Sequence, residues 1–472
     1  MSKNIFPHIN IIESRLLAFF KNTDEKPIIV AYSGGVDSQV LLAALSTLKQ
    51  QKKLPNAITV CHVNHGLSTN ADDWQQFAEQ QCQQFSLPLV VHKLSLEKQP
   101  QQSLEAIARD ARYQHLVATS TEPALIVTGH HLNDQAETFL LALKRGSGLK
   151  GLSAMASHSQ LSHHTLVRPL LDISRDDILA YAKQKNLSWI EDESNKDQAF
   201  DRNFIRHSIV PELVQRWPNF NKTLSRSASH CQDAQLLLEE LAQQDLAQCL
   251  ISNSVLNIEQ LQTLSQLRFN NTVRYFLAQQ NCLMPTTSQL SQLYDQLAAE
   301  QGKTPEVKVG EHWLRRYQGA LYLTADFADV SSFSVDINVT STSSKIMPIE
   351  LPDSLGALIV NGLMKQNLNQ DNIDNALTMH MLAPTDDQTV TISFNHSNPK
   401  CLPDYRQKSR SLKKVLQELD IPPWQRKRIP FIYYDNELVA AVGHFVCQSF
   451  MVSQLDKENN PENVLSMVWQ KI

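Results

Sequence analysis

The chain has 472 residues and a formal net charge of −5, with 42% apolar and 19% charged residues. The length exceeds what one core holds, so two to four domains are expected, and the composition excludes a disordered or fibrous chain. The net charge gives no general support for nucleic-acid binding, so any such role must rest on a local basic patch. The seven cysteines (Cys61, Cys82, Cys231, Cys249, Cys282, Cys401, Cys447) form no CxxC pair. That argues against a disulfide scaffold, a zinc ribbon or a clustered iron–sulfur site and fits a reducing cytosol.

In chain order, Glu13 and Arg15 interrupt the first apolar stretch, so it does not read as a secretion signal. The apolar run at 40–48 is too short to span a bilayer, and a soluble cytoplasmic protein without a membrane partner is expected. Runs rich in β-branched residues follow at 27–32 (PIIVAY), 57–63 (AITVCHV), 88–94 (PLVVHKL) and 124–128 (ALIVT), with a weaker one at 165–170 (TLVRPL). Helical stretches separate them. The alternation predicts an α/β fold with a parallel, doubly wound sheet of about five strands. Ser174 with Asp177 three residues on predicts a capped helix that buries Ile178, Tyr181 and Ala182.

Residues 218–300 are rich in Gln, Leu and Ala with helical periodicity, residues 305–360 suggest strands, and the Asn/Gln/Asp-rich stretch 365–375 reads as a linker. The expected division is a catalytic domain at 1–216, a helical middle domain at 217–304, a β-rich segment and linker at 305–375, and an α+β C-terminal domain at 376–472.

The strongest chemical signal is Ser33-Gly34-Gly35-Val36-Asp37-Ser38, between a predicted strand and a predicted helix. Glycines let the backbone approach an anion, and the first helical N–H groups then face it. Ser33 and Ser38 add hydroxyl donors. Asp37 would repel phosphate unless Mg2+ sits between them. An ordinary strand–turn–helix corner is the plain alternative. No lysine closes the loop, so it is not a Walker sequence. It resembles the loop of the N-type ATP pyrophosphatases, which implies ATP cleavage between the α- and β-phosphates. Gly146–Gly151 matches GxGxxG by letter but follows a predicted helix, which fails the context of a dinucleotide fingerprint.

The predicted fourth strand ends in Thr128-Gly129-His130-His131. Ligands in such sheets gather at the carboxyl ends of strands, so His130 and Asp134 should reach the same crevice as the loop. Asp134, Glu137 and Thr138 share a helix face. Clustered carboxylates there suit a metal or a proton acceptor; a capping acid and a core histidine are the bland reading. Arg112 is a candidate for stabilising charge on phosphate, and Lys144-Arg145-Gly146 for contact with phosphates or a polynucleotide backbone. Arg202 and Arg206 lie one turn apart. Residues 400–428 carry nine basic and three acidic groups, leaving the rest near −11. A helix there should bury Leu412, Val415, Leu416 and Leu419 and expose Lys413, Lys414 and Gln417, a patch suited to RNA phosphates or merely a solvated face.

Taken in order, SGGVDS, HVNHGL, ARDARY, GHHLNDQAET with LKRGSGLKGL, RPLL, EDESNKDQAFDRNFIRHSIVP and the tail RSLKK…QE…PPWQR resemble the tRNA(Ile)-lysidine synthase family over nearly the whole chain. The resemblance implies adenylation of the wobble cytidine C2 oxygen of a CAU-anticodon isoleucine tRNA by ATP. Free L-lysine then attacks C2, giving lysidine, AMP and pyrophosphate. Decoding changes from AUG to AUA, and charging from methionine to isoleucine. It implies ATP binding by residues 33–38, Mg2+ at Asp37, catalytic roles for Asp134, His130 and Arg112, and tRNA contacts by Arg145, Arg202, Arg206, Arg410, Lys413, Lys414 and Arg426. Asn64 and Asn133 depart from the usual pattern, where histidine and aspartate are common. The rivals are another ATP-pyrophosphatase tRNA-modifying enzyme, a small-metabolite amidating enzyme and a non-catalytic RNA-binding relative. Monomer and homodimer both stay open.

Overall fold

The β-branched runs form strands because helices cover both faces of the sheet they build. The computed structural model describes residues 7–21, 23, 25–66, 68–94, 104–297, 306–337, 339, 348–362, 376–453 and 463–471. The chain divides into two units, Met1–Ala242 and Gln243–Ile472.

In the first unit the elements are α1 (Pro7–Phe20), β1 (Ile28–Ala31), α2 (Val36–Gln50), β2 (Ile58–Asn64), α3 (Ala71–Phe85), β3 (Leu89–Lys93), α4 (Leu104–Ala118), β4 (Leu125–Val127), α5 (Leu132–Lys144), α6 (Leu149–Leu152), β5 (His158–Leu161), β6 (His164–Val167), α7 (Arg175–Gln184), α8 (Asp201–Phe204) and α9 (Val210–Arg216). A π-helical turn, Ile205–Ile209, joins the last two. The sheet order is β3-β2-β1-β4-β6-β5. All pairs are parallel except the β5–β6 hairpin. The five expected strands are therefore present, and β5 is an addition. Its alternate residues His158 and Gln160 are exposed polar groups at a sheet edge, so it shows no apolar run.

The order steps outward from β1 to β3 and then reverses to β4. Such a switch leaves a crevice at the carboxyl ends of β1 and β4. On one face α2 is buried along most of its length, because it lies between the sheet and helices α1 and α7; Val40, Leu41, Leu45, Ile12, Leu16, Ile178 and Tyr181 share that core. Helix α7 begins where the capping pattern placed it, with Ser174 Oγ accepting from the Asp177 N–H at 3.2 Å.

In the second unit, strand pairings run across the positions 305 and 376 where boundaries were expected. Strands Leu250–Ser252, Val255–Asn257, Ala320–Ala325, His312–Tyr317 and Glu306–Val309 form one five-stranded sheet. The helices Ile258–Thr263, Gln266–Gln279 and Thr287–Leu297 share its core through Leu261, Phe269, Phe276, Leu290, Leu314 and Leu321. The helices between Ile258 and Leu297 and the strands up to Ala325 thus share one core. Strand Ser334–Ile337 pairs with Val390–Ser393, and Ala357–Gly362 pairs with Val464–Gln470. Residues before and after position 376 therefore build the same sheets. Pairings between distant segments leave no mark in local composition, so runs of residue type do not reveal them. The linker candidate 365–375 lies outside the described residues. Among the described residues no helix is long and apolar enough to cross a membrane.

Removing the α7 cap tests this packing. Ser174→Ala should lower stability by about 1 kcal/mol, read as a reduced thermal midpoint, and Ser174→Thr should restore most of it.

Candidate active site

Ser33-Gly34-Gly35 turns the chain from β1 into α2. Gly34 has φ +85°, where side chains are strained, and its carbonyl accepts from the Ile190 N–H at 2.9 Å. Gly35 is the N-cap of α2 and supplies no capping side chain, so the first-turn N–H groups are left for an anion. The two serines divide their work. Ser38 is buried and its hydroxyl donates to the Gly35 carbonyl at 3.0 Å, whereas Ser33 is exposed. The loop shape therefore depends on Ser38, and Ser33 has the accessible hydroxyl.

The end of β4 closes on this loop. A Cβ at Gly129 would lie 2.9 Å from the backbone carbonyl carbon and oxygen of Asp37, so only glycine permits the approach. His130 shares a 2.7 Å hydrogen bond between its Nδ1 and Thr128 Oγ1. Burial, helped by the positive fields of Arg168, Arg202 and Arg109 and opposed by Asp134, pushes its pKa down to about 4, so the imidazole is neutral near pH 7.

His131, which motif reading passed over, is 1% exposed and caps α5. Its Nδ1 accepts from the Asp134 N–H at 3.4 Å, and its own N–H donates to Asp134 Oδ2 at 3.0 Å. Its Nε2 lies 3.5 Å from Asp37 Oδ1. Burial alone would lower its pKa; Asp37, Asp134 and Glu137 outweigh that and raise it. The capping-box spacing of His131 and Asp134 was the available sequence signal.

Asp134 and Glu137 face the crevice side of α8 and the π-helical turn. Arg202 donates from Nη2 to Asp134 Oδ1 at 2.9 Å and from Nε to Glu137 Oε2 at 2.8 Å. Arg206 donates from Nε to Glu137 Oε1 at 2.6 Å and from Nη2 to Asp134 Oδ1 at 3.2 Å. Burial would raise the Asp134 carboxyl, but His131, Arg202, His130 and the His131 N–H hold it below the usual range. These contacts bear on two expectations. Both Asp134 oxygens, expected to serve in catalysis, are already bonded, and its charged form is favoured. Arg202 and Arg206, expected to contact tRNA, have their charges engaged by carboxylates inside the first unit.

Arg112 is exposed, with its Nε 3.4 Å from His65 Nε2 at the end of β2. Burial and the Arg112 charge push His65 down to about 4. Arg168, from the RPLL motif, is 8% exposed and donates to the Ala156 carbonyl at 2.7 Å. It has no carboxylate partner among the described residues and adds positive field at His130. The two departures from the family pattern have structural uses. Asn133 Oδ1 accepts from the Arg175 N–H at the start of α7. Asn64 Oδ1 accepts from the Gly66 N–H.

Arg145 is exposed at the C-cap of α5. In the second unit, helix Leu412–Glu418 buries Leu412, Val415 and Leu416 and exposes Lys413 and Lys414, as its periodicity predicted. Leu419, expected to be buried with them, is only half-buried. Arg410 and Arg406 both pair with Glu418. Arg426 donates to the Ile421 carbonyl at 2.7 Å and to Tyr317 Oη at 3.3 Å, so it braces its own turn rather than facing outward. The open cations of the patch are the lysines.

Family comparisons match a PP-loop domain over residues 9–213, a TilS substrate binding domain over 256–322 and a TilS substrate C-terminal domain over 390–460. The chain is 39% identical over 445 residues to the tRNA(Ile)-lysidine synthase of Pectobacterium atrosepticum, covering 94% of each chain. It is 41% identical to that of Serratia proteamaculans, over 89% of this chain and 92% of the relative. It is 38% identical to that of Coxiella burnetii, over 92% and 93%. With the phosphate loop and the crevice assembled at the sheet's switch point, and with this identity sustained from end to end, the chain belongs to the tRNA(Ile)-lysidine synthase family.

Proposed function

We infer that this protein is an ATP-dependent ligase that joins free L-lysine to C2 of the wobble cytidine of a CAU-anticodon isoleucine tRNA, releasing AMP and pyrophosphate. The carrying observation is the conjunction of end-to-end identity to lysidine synthases with an uncapped phosphate loop at the crevice. In this reading the N–H groups at the start of α2, with the Ser33 hydroxyl, receive the β- and γ-phosphates, and the α-phosphate faces the crevice. The cytidine O2 attacks the α-phosphorus and pyrophosphate leaves. The lysine amine then attacks C2, and O2 departs with AMP.

Asp37 suits a cation shared with the phosphates. Its side chain is 36% exposed and stands in the first turn beside the loop. Among the described residues no three His, Cys, Asp or Glu side chains gather into a metal cage. One carboxylate plus substrate phosphates is the donor set Mg2+ commonly takes, and the ion would neutralise charge on the departing pyrophosphate.

Arg112 is assigned to charge on the α-phosphate. Of the two candidate proton acceptors, neutral His130 is favoured over ion-paired Asp134. A phosphate brought beside His130 opposes the guanidinium fields that depress its basicity. The exposed Lys413 and Lys414, with Arg145 in the other unit, are assigned to tRNA phosphates. An unpaired anticodon base can be splayed out of its loop into the crevice, as single-stranded RNA recognition requires.

Isotope transfer tests the reading. Labelled lysine should enter tRNA only with ATP present, with AMP and pyrophosphate as products. ADP, or sulfur or ammonia incorporated in place of lysine, would overturn it. Asp37→Ala should cut ATP-dependent AMP formation by about 100-fold or more while circular dichroism stays unchanged; wild-type turnover would remove the metal role. Lys413→Glu with Lys414→Glu should weaken tRNA binding and reduce the log–log salt slope by roughly 1.4 to 1.8 units, with ATP binding retained. An unchanged slope would mean the patch is only a solvated face.

A further inference from the structure

We propose that His131 is the positioning residue for Asp37, holding one carboxylate oxygen so that the other is presented to the phosphate-bound cation; this rests on the magnesium reading of the site. Asp37 Oδ1 and His131 Nε2 are both buried, and neither has a hydrogen-bond partner in the structure. Each faces the other at 3.5 Å. Two polar atoms buried without partners are costly, and at this separation each is the available partner of the other. The direction of that bond is determined by the other side of the ring. Nδ1 is the acceptor of the Asp134 N–H, so Nε2 carries the proton and donates to Asp37.

The ring has little freedom. It is 1% exposed, and it is bonded through both its backbone N–H and its Nδ1 to Asp134. Asp134 is in turn clamped by Arg202 and Arg206. The close approach of Gly129 to the Asp37 backbone sets the distance between the end of β4 and the loop. A chain of contacts therefore runs from α8 through Asp134 and His131 to the carboxylate beside the phosphates. Outer partners of metal-ligating carboxylates commonly govern metal affinity in this way.

Two substitutions separate this role from capping. Asparagine is a good N-cap but too short to reach Asp37, whereas glutamine keeps an amide donor with longer reach. The readout is Mn2+ affinity in the presence of a non-hydrolysable ATP analogue, measured by electron paramagnetic resonance on the full chain, with thermal unfolding alongside. His131→Asn should weaken Mn2+ binding by roughly tenfold with little change in the unfolding midpoint, and His131→Gln should recover most of the affinity. In an Asp37→Asn background, His131→Asn should add no further loss, since the partner is gone. Unchanged Mn2+ affinity in His131→Asn, or the same loss in both backgrounds, would overturn the proposal. If Asp37→Asn itself leaves Mn2+ binding intact, the magnesium reading fails instead.

Discussion

Two carboxylates and two guanidiniums, Asp134 and Glu137 against Arg202 and Arg206, hold the crevice together. Glu137 is 2% exposed and Asp134 is 7% exposed. Charges at that depth are tolerated only when paired and bonded, and each carboxylate here meets both arginines. The cluster joins the first turns of α5 to α8 and the π-helical turn. Through His131 it also reaches the phosphate loop. A buried pair of this kind adds little net stability compared with an apolar replacement. Its value lies in geometry, because four charged groups with matched partners have few alternative arrangements.

The crevice also depends on two helix starts used in different ways. Helix α2 begins at Gly35 with no side-chain cap, leaving its N–H groups and its positive end for a phosphate. Helix α5 begins with a complete capping box between His131 and Asp134, so its start is satisfied internally. The open terminus is the one assigned to the nucleotide in the proposed reading. The closed one carries the side chains that hold the loop and the arginines in place.

Charge in the second unit follows a similar economy. The segment 400–428 is strongly basic in composition, yet Arg406, Arg410 and Arg428 are paired with Glu418 and Asp353. Arg426 is spent on a backbone carbonyl and a tyrosine hydroxyl. Arginine's planar fork suits such fixed bonding, whereas lysine remains a hydrated point charge. The exposed lysines on helix Leu412–Glu418 are therefore the cations of the patch assigned to phosphate in the proposed reading.

The sequence alone determined the five parallel strands, the loop after β1, the α7 cap and the family, because each is written in local patterns: β-branched runs, glycine and serine spacing, a capping pair, an ordered set of motifs. Only the tertiary structure decided what the charged side chains face. Asp134, Arg202 and Arg206 read alike as solvent-facing catalytic or RNA-binding groups, and they proved to be one another's partners across 68 and 72 positions of chain. What His130 and His131 face was decided only when the fold turned one toward Thr128 and the other toward Asp37. The pairings that run across positions 305 and 376 were hidden for the same reason. Strand pairing and ion pairing join residues far apart in the chain, and composition at either end does not record which partner folding brings to it.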